Sequence, residues 1–170
     1  MKNNIKSKII LFLILITIIS PYTFIKATSA SINPISNEEH KQIINNYLNE
    51  IEALQNQVDA VAQTAISGGI GERELLRSRI SVINTHIENL NSIIQDYLAA
   101  NPGVSERNRH IILTFNIINL VKSNLYTLSE LIDTTNDVDQ FLLFNEYFST
   151  RVNTLNTLEI LRQILAKYSL

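Results

Sequence analysis

Between Ile44 and Ala65 an apolar residue recurs every three or four positions without a miss, at Ile44, Tyr47, Ile51, Leu54, Val58, Val61 and Ala65. Such spacing collects side chains on one face of an α-helix, so the chain must bury a long, narrow stripe against other helices. The rhythm returns at Leu76, Ile80, Ile83, Ile87, Leu90, Ile94 and Tyr97, and again at Ile111, Ile118, Val121, Leu125, Leu128 and Ile132. A fourth stripe runs through Val138, Phe141, Phe148, Val152 and Leu155, then shifts phase to Leu158, Leu161, Leu165 and Tyr168.

The stripes are separated by residues that stop helices. Ser67, Gly68, Gly69, Ile70 and Gly71 end the first, because glycine makes a continuing helix costly. Asn101, Pro102 and Gly103 end the second, and Thr134, Thr135, Asn136 and Asp137 the third, with Asn136 or Asp137 the candidate cap of the last helix. Ser36, Asn37, Glu38 and Glu39 mark the first start, where side-chain oxygens satisfy free amides and acids suit the positive helix end. Helices are therefore predicted over about 37–66, 72–100, 105–133 and 137–168. At 1.5 Å per residue each is roughly 45 Å long. Matched lengths and short connections predict an all-α, up-and-down antiparallel four-helix bundle, with residues 31–170 as its single domain. A three-helix arrangement with one broken or swapped element is the alternative.

The first thirty residues read differently. Lys2, Lys6 and Lys8 precede an apolar run from Ile9 to Ile19, followed by Ser20, Pro21 and the small residues Ala27, Thr28, Ser29 and Ala30. A positive flank, an apolar segment, a breaker and small residues make a secretory signal peptide over 1–30. An uncleaved membrane anchor is the alternative if the apolar run extends past Pro21 to Ile25. The expected location is secreted or extracytoplasmic. Frequent Ile and Asn fit AT-rich coding in a bacterium.

Charge follows the same division. Four lysines and no acid fall before Ala30, leaving ten Lys and Arg against all sixteen acids in the body. An acidic domain with scattered basic residues is a poor match to a phosphate backbone, so nucleic acid is not an expected partner. Cysteine is absent, which removes disulfides, thiolate zinc sites and a thiol nucleophile together. The histidines His40, His86 and His110 fall in three segments, the first and last at one end of the bundle, and are expected on the solvated surface. Glu106 lies one turn before His110, but the paired Glu-x-x-His motifs of a di-metal bundle do not occur. No phosphate loop and no set of nucleophile, base and orienting acid can be assembled, so neither catalysis nor a cofactor is expected.

Four residues are candidate partner contacts. Phe144 and Tyr147 are expected off the core stripe, where an exposed aromatic pair would mark a protein contact. Arg73 and Arg77 stand with Glu72, Glu74 and Arg79 near the start of the second helix, as an ordinary solvated face with ion pairs or as contacts for an acidic partner. Thr114 and Asn145 occupy stripe positions that should be apolar, and buried there they would fix helix register, or else line a small polar cavity. These features predict an exported non-enzymatic helical module acting by protein contact or self-association. The alternative is an extracytoplasmic bundle that binds or senses a small ligand.

Overall fold

The computed structural model describes residues 35–67, 72–102 and 105–168. The segment 1–30 read as a signal peptide and the glycine-rich stretch 68–71 lie outside the described residues, and the helical unit is Ile35–Leu170. Four helices follow in order, α1 Asn37–Ser67, α2 Arg73–Ala100, α3 Glu106–Asp133 and α4 Asp137–Lys167. No strand occurs among the described residues.

Local chemistry sets three of the four starts. Ser36 Oγ accepts from the Glu39 amide at 3.1 Å, Ser105 Oγ accepts from the Asn108 amide at 3.3 Å, and Asn136 Oδ1 accepts from the amides of Val138 and Asp139. Each supplies an acceptor to amides that have none within the helix. Glu72 precedes α2 without a side-chain cap.

Contacts between helix ends far apart in sequence give the topology. Arg77, near the start of α2, pairs with Asp133 at the end of α3. Tyr168, just past α4, donates to Asn37 at the start of α1, and Arg107 at the start of α3 donates to the same Asn37 oxygen. Thus α2 and α3 run antiparallel, as do α1 and α4, while α1 and α3 run parallel: an up-and-down four-helix fold.

The helices are not equivalent. α3 packs against each of the other three, whereas α2 and α4 make the fewest close approaches. The central position explains the character of α3, which buries Ile111, Ile117, Ile118, Val121, Leu125 and Leu128 on more than one face. By length and composition α3 could cross a membrane, and half of the relevant stretch is buried among the other helices. α1 and α2 bury the predicted stripes, from Ile44 to Val61 and from Leu76 to Ile94.

α4 departs from expectation. Its buried residues are Tyr147, Thr154, Leu158, Leu161 and Leu165, whereas Val138, Phe141, Phe148 and Val152, predicted to be core, are 67%, 66%, 50% and 53% exposed. The first half of α4 is turned away from the orientation its apolar spacing suggests. The later phase, from Leu158 to Leu165, runs the whole length of the packed face.

Candidate functional site

Two polar clusters inside the bundle explain this rotation and thereby define the surface that remains. The first joins α1, α3 and α4 at mid-height. Gln55, Asn124 and Thr154 are fully buried, with Asn124 Nδ2 donating to Gln55 Oε1 at 3.1 Å. Gln55 Nε2 donates to Asp59 Oδ1 at 2.8 Å. The Tyr147 hydroxyl donates to the same oxygen at 2.5 Å, and Arg151 Nε reaches Asp59 Oδ2 at 2.8 Å. Lower on the same side, Arg162 binds Glu52 at 2.7 Å. Burial and the neighbouring Asp59 carboxylate raise the Tyr147 phenol above its ordinary range, so it acts as a fixed neutral donor.

These contacts are selective because a buried polar group without a partner is costly. Turning α4 to bury Val138, Phe141 and Phe148 would strip Asp59 of Tyr147 and Arg151 and take Thr154 away from Asn124. The network therefore selects one of the two apolar faces of α4 for the core.

The second cluster closes the end of the bundle where α1 and α3 begin. His40 and His110 are buried rather than solvated, a correction to the surface placement expected for them; His86 is exposed. Tyr97 Oη lies 2.9 Å from His40 Nδ1, and His40 Nε2 lies 3.3 Å from His110 Nδ1. The Tyr168 ring stands nearly perpendicular to His110, 4.8 Å between centroids. His110 Nε2 is buried with no hydrogen-bond partner. Desolvation is the main cause that lowers His40 to about 4, with His110 and Arg107 acting in the same direction. Burial also lowers His110, against an opposing pull from Glu106. Both rings are thus neutral at physiological pH, and the cluster is a chain of hydrogen bonds sealed by tyrosines. Among the described residues no group of three or more His, Cys, Asp or Glu is placed to hold a metal ion.

The structure separates the sequence candidates. Tyr147 is buried, 2% exposed, rather than offered to a partner. Phe144 is partly buried against the core. Both corrections follow from the rotation of α4. Asn145 is exposed, and its amide donates to the Phe141 carbonyl within the helix, so it does not act as a buried register residue inside this fold. Thr114 is fully buried, and its hydroxyl donates to the His110 carbonyl one turn earlier at 2.8 Å. This bond satisfies the hydroxyl within α3 itself. Arg77 is half-exposed and tied to Asp133. Arg73 lines a hollow of about 170 Å³ with Leu76, Leu131, Thr134, Gln140 and Phe144, smaller than the roughly 300 Å³ at which ligand pockets begin.

What sequence reasoning missed is the outer face of α4. Val138, Phe141, Asn145, Phe148 and Val152 follow one another in steps of three and four along solvent, flanked by Leu142 at 58% exposure. Aromatic side chains bury 150–250 Å² each when covered, so this strip offers roughly 500 Å² of apolar surface, at the upper end of what a monomer ordinarily exposes in one patch. The signal was present in the sequence as two overlapping phases on one helix. No protein-family model matches the chain, and no curated protein or solved structure matches it.

Proposed function

We propose that the protein is an exported, non-enzymatic helical module that acts by protein contact at the cell envelope or after release, with the outer face of α4 as its contact surface. The single observation that carries this reading is an ordered apolar strip left outside a core that is complete without it. Isolated exposed apolar residues are common, but a continuous strip in helical register marks a place where water is to be excluded by something else. The order of charge, apolar run and small residues before Ala30 supports export. Enclosure of His40 and His110 behind Tyr97 and Tyr168 keeps two of the three imidazoles away from any substrate and supports a role without catalysis.

Photo-crosslinking in the producing cells tests the reading. A photoreactive phenylalanine analogue in place of Phe148 should form a protein adduct, whereas the same analogue in place of His86, exposed on α2, should form none. Absence of any adduct from position 148 in protein that remains folded would refute the contact surface. Mass spectrometry of the exported protein tests the leader: a peptide containing Met1 or Lys2 would contradict cleavage.

A further inference from the structure

We infer that the occupant of this face is α4 of a second copy of the chain, packed antiparallel about a two-fold axis near Asn145. The inference rests on the reading of the strip as a contact surface and names its partner.

Four observations lead to it. The first is spacing. Val138, Phe141, Asn145, Phe148 and Val152 alternate by three and four residues over about 20 Å. A strip this narrow repeats every 3.5 residues and fits a single facing helix, as in a two-stranded coiled coil. The second is symmetry. Read from either end, the strip runs Val, Phe, Asn, Phe, Val. An antiparallel pair centred on Asn145 sets Val138 against Val152 of the second copy and Phe141 against its Phe148. Both contacts recur across the axis, as a self-complementary two-fold interface requires. Asn145, exposed in the single chain, then meets its own counterpart, and facing amides can exchange hydrogen bonds only in that register.

Charge is the third. Asp137 and Arg151 lie on the same flank of the strip, about four helical turns apart. Antiparallel packing brings Asp137 of each copy towards Arg151 of the other, whose Nε stays on Asp59 while the guanidinium carries further N–H donors, and it opposes the helix dipoles favourably. A parallel pair would instead keep Asp137 and Arg151 of the two copies at different heights and, one heptad beyond Val152, set Glu159 beside Glu159. The acids around the strip, Asp137, Asp139, Glu146 and Glu159, also count against a lipid surface, for which flanking lysines and arginines are the usual device.

Area is the fourth. The strip supplies roughly 500 Å² per copy, and its polar borders bring this towards the approximately 800 Å² per partner of a standard specific interface. A helix pair of this size is a modest interface, which makes the association dependent on concentration.

Sedimentation equilibrium of the natively processed protein should find twice its monomer mass. The F141D variant should weaken association by roughly a hundredfold, as removal of a central aromatic contact does, while keeping its helical circular dichroism and melting temperature. V152D serves as the second variant and should do the same. The chain has no cysteine, so introduced thiols report orientation without background. An oxidised mixture of V138C and V152C chains should yield the 138–152 crosslink, and V138C alone should yield none.

A protein monomeric at about 100 µM, far above the dissociation constants of specific complexes, would overturn the inference, as would a dimer unaffected by both F141D and V152D. Crosslinking of V138C to itself would overturn the antiparallel order. If the protein is monomeric yet the analogue at position 148 captures a different protein, self-pairing falls while the contact surface stands. If it is monomeric and captures nothing, both fall.

Discussion

Stability should fall as the solution is acidified from pH 7.5 to 5, and His40 should account for a large part of the loss. His40 is fully buried and hydrogen-bonded to Tyr97 and His110. Burial, the adjoining His110 and the Arg107 charge lower it from 6.5 to about 4 in the fold. Below its ordinary value the unfolded chain therefore binds a proton that the folded chain refuses, so acid favours unfolding. The contribution is fully present above about pH 6.5, declines as the pH falls, and is lost by about pH 4. At 1.36 kcal/mol per unit, the full loss is about 3 kcal/mol, of which about 2 kcal/mol has gone by pH 5. His110 is lowered by burial in the same sense and adds to the slope. Against a typical domain stability of 5–15 kcal/mol the change is large enough to read directly. Urea unfolding followed by helical circular dichroism at pH 7.5, 6 and 5 gives the slope, and His40→Phe should remove most of it while retaining a ring in the cavity. Proton NMR should show the His40 ring still neutral at pH 5. A stability that is flat over this range, or falls equally in the variant, would refute the reasoning.

The assignment of the two faces of α4 gives a second contrast. Leu161→Ala should destabilise by about 2–5 kcal/mol because Leu161 is fully buried, whereas Phe141→Ala should cost the single chain less than about 1 kcal/mol; chemical denaturation at low protein concentration compares them, and the reverse order would place α4 in its other orientation. Tyr147→Phe removes the donor to Asp59 and should cost about 1–2 kcal/mol, measured by the same unfolding curves, with no loss expected if the hydroxyl is in fact solvated. Gln55→Leu leaves Asn124 facing an apolar side chain and should cost about 1–3 kcal/mol; if it stabilises the protein instead, the buried polar cluster does not select the rotation of α4.

Periodicity, caps and breakers made the four helices legible to within about a residue, because they act within a few turns and need no tertiary partner. Asn136 caps α4 by the same local chemistry that made it a candidate. Rotation about a helix axis is another matter. Along α4 two apolar phases compete, one through Phe141 and Phe148 and one through Leu158 and Leu161, and in the first half of the helix spacing alone favours the side that lies outside. What decides is whether Asp59 on α1 and Asn124 on α3 find partners in Tyr147, Arg151 and Thr154, and these meet only when the helices pack. The histidines show the same division. Sequence placed His40 and His110 at one end of the bundle, but their burial depends on Tyr97 and Tyr168, contributed by two other elements. The sequence by itself determined how many helices form and where each begins and ends, since those are short-range properties. Only the tertiary structure decided which face of α4 lies inside and which remains for a partner, since that choice depends on matching polar groups far apart in the chain.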